Sequence, residues 1–569
     1  DQARATLNSV KNARNWKLPT AFGPRSTVSG LGPVVHPQLS AQNWITEGET
    51  QKYWQRQAGL FDGNEQLNAT ETVKRGLEKI LEKLLKLSET DKEEIISASY
   101  PDLTSGVAGY LNTGGDRQYF EMVCEKILEE FPWAEAVIKG MKNKWGIPLM
   151  DNKPQKYHPR LLNAGWLVED AETDDLKRLE KDYRSEKDEV LKQAIRQEIT
   201  RQKVDLRGQV SQLIDQYYPN RNPADWYVIA AGDGDSMSEW LKGTKMNPYG
   251  DYLAKVLDDQ VSKELRPAFD NFKRAIKRMG PATHNALSRA LLDFSNQLVP
   301  YLTEQRYAGR LIYSGGDDVL AYTNLWEWDS WLWDVRQCFK GDKDPKKQFH
   351  DTGDYWWWKK GEIPEGIAQR PLFTMGQSAT ISFGLVIAHH SVPLAIALEN
   401  LWEAEEEAKE HEYFTGKYHP EKNYPCYEKK DAVQVRVIYG NGNILKATSK
   451  FDVFNQWRTL MIDFPELDAS LFEQATQLLE DHPIPNQSAI TFWVKAFSDR
   501  REQLNKLGSA QKNEFTNVLV KFMDDFWRTS RIHSSENQGQ KEADQKRDQQ
   551  LKTWLKLAAF IKRNRKILG

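Results

Sequence analysis

The chain has 569 residues, with 78 Lys+Arg against 81 Asp+Glu and a formal net charge of −3. It is too long for one hydrophobic core, so roughly two to four domains are expected, and without a global basic excess any nucleic-acid contact must come from local patches. Three scattered cysteines, Cys124, Cys338 and Cys426, form no CxxC pair, which excludes a cysteine-rich zinc site and fits a reducing, cytoplasmic setting.

The N-terminus, DQARATLNSVKNARNWKLP, has no charged start followed by an apolar core, so no signal peptide is expected, and it lacks an initiator Met. The chain therefore reads as a fragment or processed product. No apolar run approaches the ~18 residues that span a bilayer. Residues 1–60 are rich in Pro, Gly, Ser and Asn and read as loop; SGLGPVVHPQ (29–38) lacks the GxxxxGK pattern of a P-loop. ETVKRGLEKILEKLLKL (71–87) repeats apolar residues at helical spacing. A mixed helical region runs to about 167, and the charged stretch 168–207 reads as a long solvated helix or helical hairpin.

DWYVIAAGDGD (225–235) is a buried-strand pattern that ends in acidic turn residues. Helices are expected around 252–278 and 282–304. LIYSGGDDVLAYTN (311–324) then places Gly315, Gly316, Asp317 and Asp318 between two β-like runs, as in a tight hairpin. A Trp-rich insertion follows. ATISFGLVIAHH (379–390) reads as a strand, Pro393 opens a helix, PLAIALENLWEAEEEAKEHEY, and DAVQVRVIYGNG (431–442) reads as the last strand. The order β–αα–β–β–β–α–β matches a ferredoxin-like or palm sheet, an α+β fold with helices on one face. The remainder is helical in pattern, interrupted by a flexible polar loop at 534–550.

In a palm, the end of the first strand lies beside the hairpin of the next two, which brings Asp233 and Asp235 to Asp317 and Asp318. Four carboxylates at one sheet edge suit Mg²⁺ or Mn²⁺, up to two ions, rather than zinc. Gly234 lies between the first two aspartates and is counted with the metal site. Gly234, Gly315 and Gly316 carry no side chain to keep phosphates from the backbone. A lone GGDD is most simply an acidic turn; the upstream DGD changes that reading.

DGDSMSEWL (233–241), SRALLDF (288–294), YSGGDDVLAY (313–322) and GLVIAHHSVPLAIALENLWEAEEEAK (384–409) resemble the large subunit of type III CRISPR–Cas effector complexes, closer to the Cmr (III-B) branch. The resemblance covers about 225–440. It implies a palm similar to GGDEF and adenylate-cyclase domains that joins ATP into cyclic oligoadenylates by 3′–5′ phosphodiester transfer when target RNA is bound. It implies Asp233, Asp317 and Asp318 as metal ligands and catalytic residues, Asp235 as a further metal candidate, Lys409 at nucleotide phosphates and Ser314 at a nucleobase. Implied partners are other effector subunits, guide RNA and target RNA, with ATP as substrate and no membrane. The implied domains are a loop-rich remnant of the family's zinc insertion without its cysteines (1–70), a helical domain (71–222), the palm (223–445) and a C-terminal helical domain (446–569). The HD domain and first palm that precede this region in the family are not visible. The rival readings are a catalytically silent scaffold of the same complex and another palm enzyme, such as a diguanylate cyclase.

Other features have plainer expectations. His389 and His390 read as structural histidines, and His350-Asp351 as incidental. DYWWWKKGE (354–362) is expected to pack against a neighbouring subunit rather than to stack single strands. The last 29 residues, with nine basic and three acidic side chains, could touch RNA or a partner, or form a solvated basic face.

Overall fold

The computed structural model describes residues 23–27, 32–38, 45–55, 66–74, 101–111, 115–139, 144–153, 155–359, 361–419, 424–531 and 537–567. It divides into two compact units, Asp1–Ala98 and Ser99–Gly569.

In the first unit a helix, Glu47–Gln55, packs Trp54 with Val34 and Leu67. The Trp54 indole donates to Val35 O at 3.1 Å. Residues 69–74 are helical, and a capping box opens them: Asn68 Oδ1 accepts from Glu71 N at 3.0 Å while Glu71 Oε2 accepts from Asn68 N at 2.9 Å. The rest of the helix expected over 71–87 lies outside the described residues.

The second unit begins with short helices and the solvated hairpin expected from charge. Helix α1 (Asp174–Ser185) is capped by Thr173, and α2 (Glu189–Tyr217) by Asp188, which accepts from Val190 N and Leu191 N. Strand β1 (Trp226–Gly234) follows. The single helix expected over 252–278 is instead three short pieces, the last starting at Arg266. Pro267 explains the break, because it has no N–H to donate to the preceding turn. Helix α3 (Pro281–Asp293) runs on through π-helical turns to Arg306.

The hairpin β2 (Arg310–Gly315) and β3 (Asp318–Thr323), helix α4 (Trp328–Lys340) and the small strands β4 (Phe349–Asp351), β5 (Tyr355–Trp358) and β6 (Leu372–Phe373) come next. Then come β7 (Ile381–His389), α5 (Leu394–Glu410), the ribbon β8 (Glu412–Tyr418) and β9 (Pro425–Lys429), and β10 (Ala432–Ile438) with β11 (Ile444–Lys450). The main sheet has the order β11-β10-β7-β1-β3-β2, with β7 and β10 parallel and the other neighbours antiparallel. This is the α+β palm sheet with helical flanks.

One part of the expectation is corrected: helices cover both faces of the sheet. Alternation divides β1 between two cores. Val228 and Ala230 join Phe294, Trp331 and the C-terminal residues Trp457 and Trp554. Tyr227, Ile229 and Ala231 join Leu161, Ile214 and the α5 residues Ala397 and Leu401. The nearly uninterrupted apolar runs of β1 and β7 are what a sheet buried on both faces requires.

The four longest C-terminal helices are α6 (Phe451–Ile462), α7 (Ala469–Asp481), α8 (Ser509–Thr529) and α9 (Asn537–Arg565). The flexible loop expected over 534–550 is contradicted from residue 537 onward, where α9 begins. Its Glu, Ala, Gln, Lys and Arg are good helix formers. Arg547 also lies 3.4 Å from the centroid of the Trp527 ring, bridging Asp544 at 2.6 Å and Asp548 at 3.0 Å. Among the described residues no helix is long and apolar enough to cross a membrane.

Candidate functional site

The sheet register builds the site. Gly232 of β1 pairs with Val319 of β3, so one step further on Asp233 lies opposite Asp318, and Gly234 opposite Asp317. Gly315 pairs with Asp318, leaving Gly316 and Asp317 as the turn. Gly316 has φ +67°, a conformation in which glycine avoids the Cβ penalty. A Cβ on Gly234 would come within 2.7 Å of Asp317 Cβ, so this glycine gives the Asp317 side chain its place over the strand end. Gly315 similarly clears the Tyr313 ring, whose hydroxyl would be 2.4 Å from an added Cβ.

Asp233 shares its face of β1 with Tyr227, Ile229 and Ala231, the face that α5 covers. Helix α5 comes very close there: a Cβ on Gly384 would be 2.3 Å from Glu405 N. The approach brings Lys409 Nζ to 2.5 Å from Asp233 Oδ2 and 2.7 Å from Glu405 Oε1. Burial, then the charge of Asp233, pushes the Asp317 carboxyl up to about 7. Asp318 is pushed up to about 6, first by burial and then by its hydrogen bond to Asp233 and that residue's charge. Burial works against the Lys409 ammonium, but Asp233 and Glu405 outweigh it and hold its pKa above the ordinary lysine value. The cluster therefore carries more negative charge than one lysine balances.

Asp235 is placed differently from the other three aspartates. It is buried, and its carboxylate accepts from Thr380 Oγ1 at 2.7 Å, Ser382 Oγ at 2.9 Å and Asp431 N at 2.9 Å. Asp431 takes a bidentate Arg336, at 2.9 and 2.6 Å, and both it and Lys430 have positive φ. Asp235 thus ties the end of β1 to β7 and to the turn before β10, and its oxygens are committed to that task. Ser314 Oγ is buried and has no hydrogen-bond partner among the described residues.

Glu405 was missed by the sequence reading. The signal was its position four residues before Lys409, on one helix face. Gly384 was missed too, since nothing local marks a glycine in a strand as a helix-docking point.

His389 and His390 lie at the opposite end of β1 and β7. Trp226 pairs with His389 and Asp233 with Ser382, seven residues or about 23 Å along the strand. They gather with Asp225 within metal-ligand spacing. However, Asn163 accepts from Trp166 N with its Oδ1, which leaves its amide N–H facing His390 Nδ1 at 3.2 Å. His390 therefore keeps its proton on Nε2, the wrong tautomer for a metal there.

The other sequence features are taken up by packing only in part. Trp356 is buried against Phe349 and Trp358 packs on the same core, while Trp357 between them is 53% exposed. Asp351 accepts from Asp344 N at 3.0 Å. On α9, Lys552 and Lys556 face Glu480, Arg563 meets Glu473, Arg565 bonds Asp329 at 2.9 Å, and Lys562 donates to Phe464 O and Met461 O.

A palm sheet that presents carboxylates from its first strand and from the adjoining hairpin defines the class of this domain. Residues 227–414 match the family described as Cas10/Cmr2, second palm domain, and this stretch is a palm of that kind. The CRISPR system Cmr subunit Cmr2 of Pyrococcus furiosus is 27% identical over 181 residues, which cover 31% of this chain and 16% of that protein. Type III-B Cmr-beta in its apo state aligns with a TM-score of 0.45 at 15% identity, covering 87% of this chain and 55% of that one. Type III-B Cmr-beta bound to cognate target RNA aligns with a TM-score of 0.41 at 16% identity, covering 89% and 53%. The chain spans about half the length of these solved relatives. It resembles the large subunit of the Cmr (III-B) branch.

Proposed function

We propose that this chain acts as the palm-bearing large subunit of a type III-B RNA-guided effector complex and converts ATP to cyclic oligoadenylates when target RNA is bound. The observation that carries this reading is the meeting of Asp233, Asp317 and Asp318 at one sheet edge, with Lys409 as their cation, in a Cas10/Cmr2 second palm. Effector subunits, guide RNA and target RNA would be its partners.

The donor set fits hard divalent cations: it is all carboxylate, and burial first and then the neighbouring Asp233 raise the pKa values of Asp317 and Asp318, as expected of carboxylates gathered in a site that favours a cation. Mg²⁺ or Mn²⁺, as a pair, would make a ribose hydroxyl a better nucleophile and neutralise the triphosphate. Asp233 and Asp318 would hold the ions from adjacent strands, with Asp317 on the turn between β2 and β3. Lys409 would contact the phosphates, which Gly315 and Gly316 let approach the backbone, and Ser314 would contact the base. Asp235 would keep the end of β1 fixed while these groups act.

The test uses the complete chain assembled with its partner subunits and guide RNA. Labelled ATP, a divalent cation and target RNA are expected to give oligoadenylates, and Asp317→Ala with Asp318→Ala to abolish them while assembly is retained. Unchanged product from the double variant would overturn the reading.

A further inference from the structure

Lys409 is shared between two carboxylates of different standing. Its ammonium is 2.5 Å from Asp233 Oδ2, an oxygen that the proposed function assigns to a metal ion, and 2.7 Å from Glu405 Oε1. A divalent cation bound at that Asp233 oxygen would compete with the ammonium for the charge of the same carboxylate. A bound cation would also repel the ammonium across the same few ångströms. Glu405 precedes Lys409 by one helical turn, the favourable order for a Glu–Lys pair on a helix. It is also fixed in place: its own N is the atom that an added Gly384 Cβ would strike at 2.3 Å, and its side chain is only 18% exposed.

We infer that Glu405 is a positioning residue that acts through Lys409: it holds the ammonium when a divalent cation takes Asp233, and so eases cation entry. This rests on the proposed metal-dependent function but goes beyond it, because it gives the site a resident cation that must move aside. In the free protein Lys409 supplies the positive charge beside Asp233. After exchange it stays beside the site on Glu405, where phosphates would meet it. No covalent step is involved, only the exchange of an ammonium for a metal ion at one carboxylate oxygen.

The two residues are then expected to act with opposite signs, which a merely structural pair would not do. The experiment measures Mn²⁺ affinity of the nucleotide-free full-length protein by electron paramagnetic resonance, so it does not depend on turnover. Lys409→Met removes the competitor and is expected to tighten Mn²⁺ about tenfold. Glu405→Gln leaves Lys409 only Asp233 to hold and is expected to weaken Mn²⁺ about tenfold. In the Lys409→Met background the same Glu405→Gln change is expected to weaken it by about threefold or less, since only a bare charge is then lost.

Equal effects of Glu405→Gln in both backgrounds, or weaker Mn²⁺ binding by Lys409→Met, would overturn the inference and leave the metal reading intact. No Mn²⁺ binding by the unsubstituted protein would overturn both. Glu405→Asp, which keeps the charge on a shorter arm, is expected to fall between wild type and Glu405→Gln; an affinity equal to that of Glu405→Gln would count against the inference. Circular dichroism of each variant separates these shifts from misfolding.

Discussion

Gly384→Ala is the sharpest perturbation of the way the fold builds its site. The added Cβ would sit 2.3 Å from Glu405 N, 2.8 Å from Ala404 C and 2.8 Å from Leu401 O, all backbone atoms of α5 that cannot rotate aside. Ordinary contact begins near 3.4 Å. Restoring it moves α5 off the sheet by about 1 Å (3.4 − 2.3). Overpacking of this kind costs about 1–3 kcal/mol, which at ~2 °C per kcal/mol is roughly 2–6 °C in melting temperature for a chain of this size. The same shift carries Lys409 and Glu405 away from Asp233, beyond hydrogen-bond range from the present 2.5 Å. A misplacement of 1 Å costs about a hundredfold in rate at a site that depends on orientation. The assay is thermal denaturation beside oligoadenylate synthesis by the assembled complex. Gly208→Ala is the control: nothing lies within 4 Å of its added Cβ in α2, so it should leave synthesis unchanged and raise stability by about 0.5–1 kcal/mol. A Gly384→Ala protein as stable and as active as wild type would refute the close-approach argument.

Other consequences are as concrete. Asp235→Ala strips the acceptor from two hydroxyls and the Asp431 N–H, and should destabilise by at least ~3 kcal/mol in urea unfolding; unchanged stability with lost Mn²⁺ affinity would restore Asp235 to the metal ligands. Arg306→Met leaves Asp334 and Asp344 buried without the guanidinium they now hold at 2.9 and 2.8 Å, and should cost about 3–5 kcal/mol by the same measurement. Burial pushes Asp225 up to about 7, above its unfolded value of 3.8, so the native state holds its proton more tightly and loses stability as pH rises from about 4 to 7. Asp225→Asn should therefore stabilise the protein at pH 8, by up to ~4 kcal/mol, and have little effect at pH 4; equal effects at both pH values would contradict it.

The aspartates were legible because a buried strand ending in DGD and a hairpin tipped with GGDD each have a strong local pattern. The topology of a palm supplied their meeting, and the β1–β3 register bears that adjacency out. Asp233 and Asp235 could not be told apart by type, since what separates them is a set of partners 145 or more residues away in sequence. The same limit hid the fate of the basic C-terminal helix, whose lysines and arginines meet acids and carbonyls of α4, α6 and α7. The coverage of both faces was legible in principle from the apolar run of β7, buried along nearly its whole length, yet helix order alone suggested one face. The polar residues 537–550 read as loop because their low apolar content masked good helix propensity. It was the apolar half of α9, with Trp554 and Leu555 in the core, that anchored them.

The most direct measurement is mass spectrometry of the products formed from ATP by the assembled complex with target RNA and Mg²⁺ or Mn²⁺. The expected result is cyclic 3′–5′ oligoadenylates with one pyrophosphate released per bond, and none from Asp317→Ala with Asp318→Ala. ATP recovered unchanged from a correctly assembled, RNA-bound complex, or converted only to ADP, would contradict it.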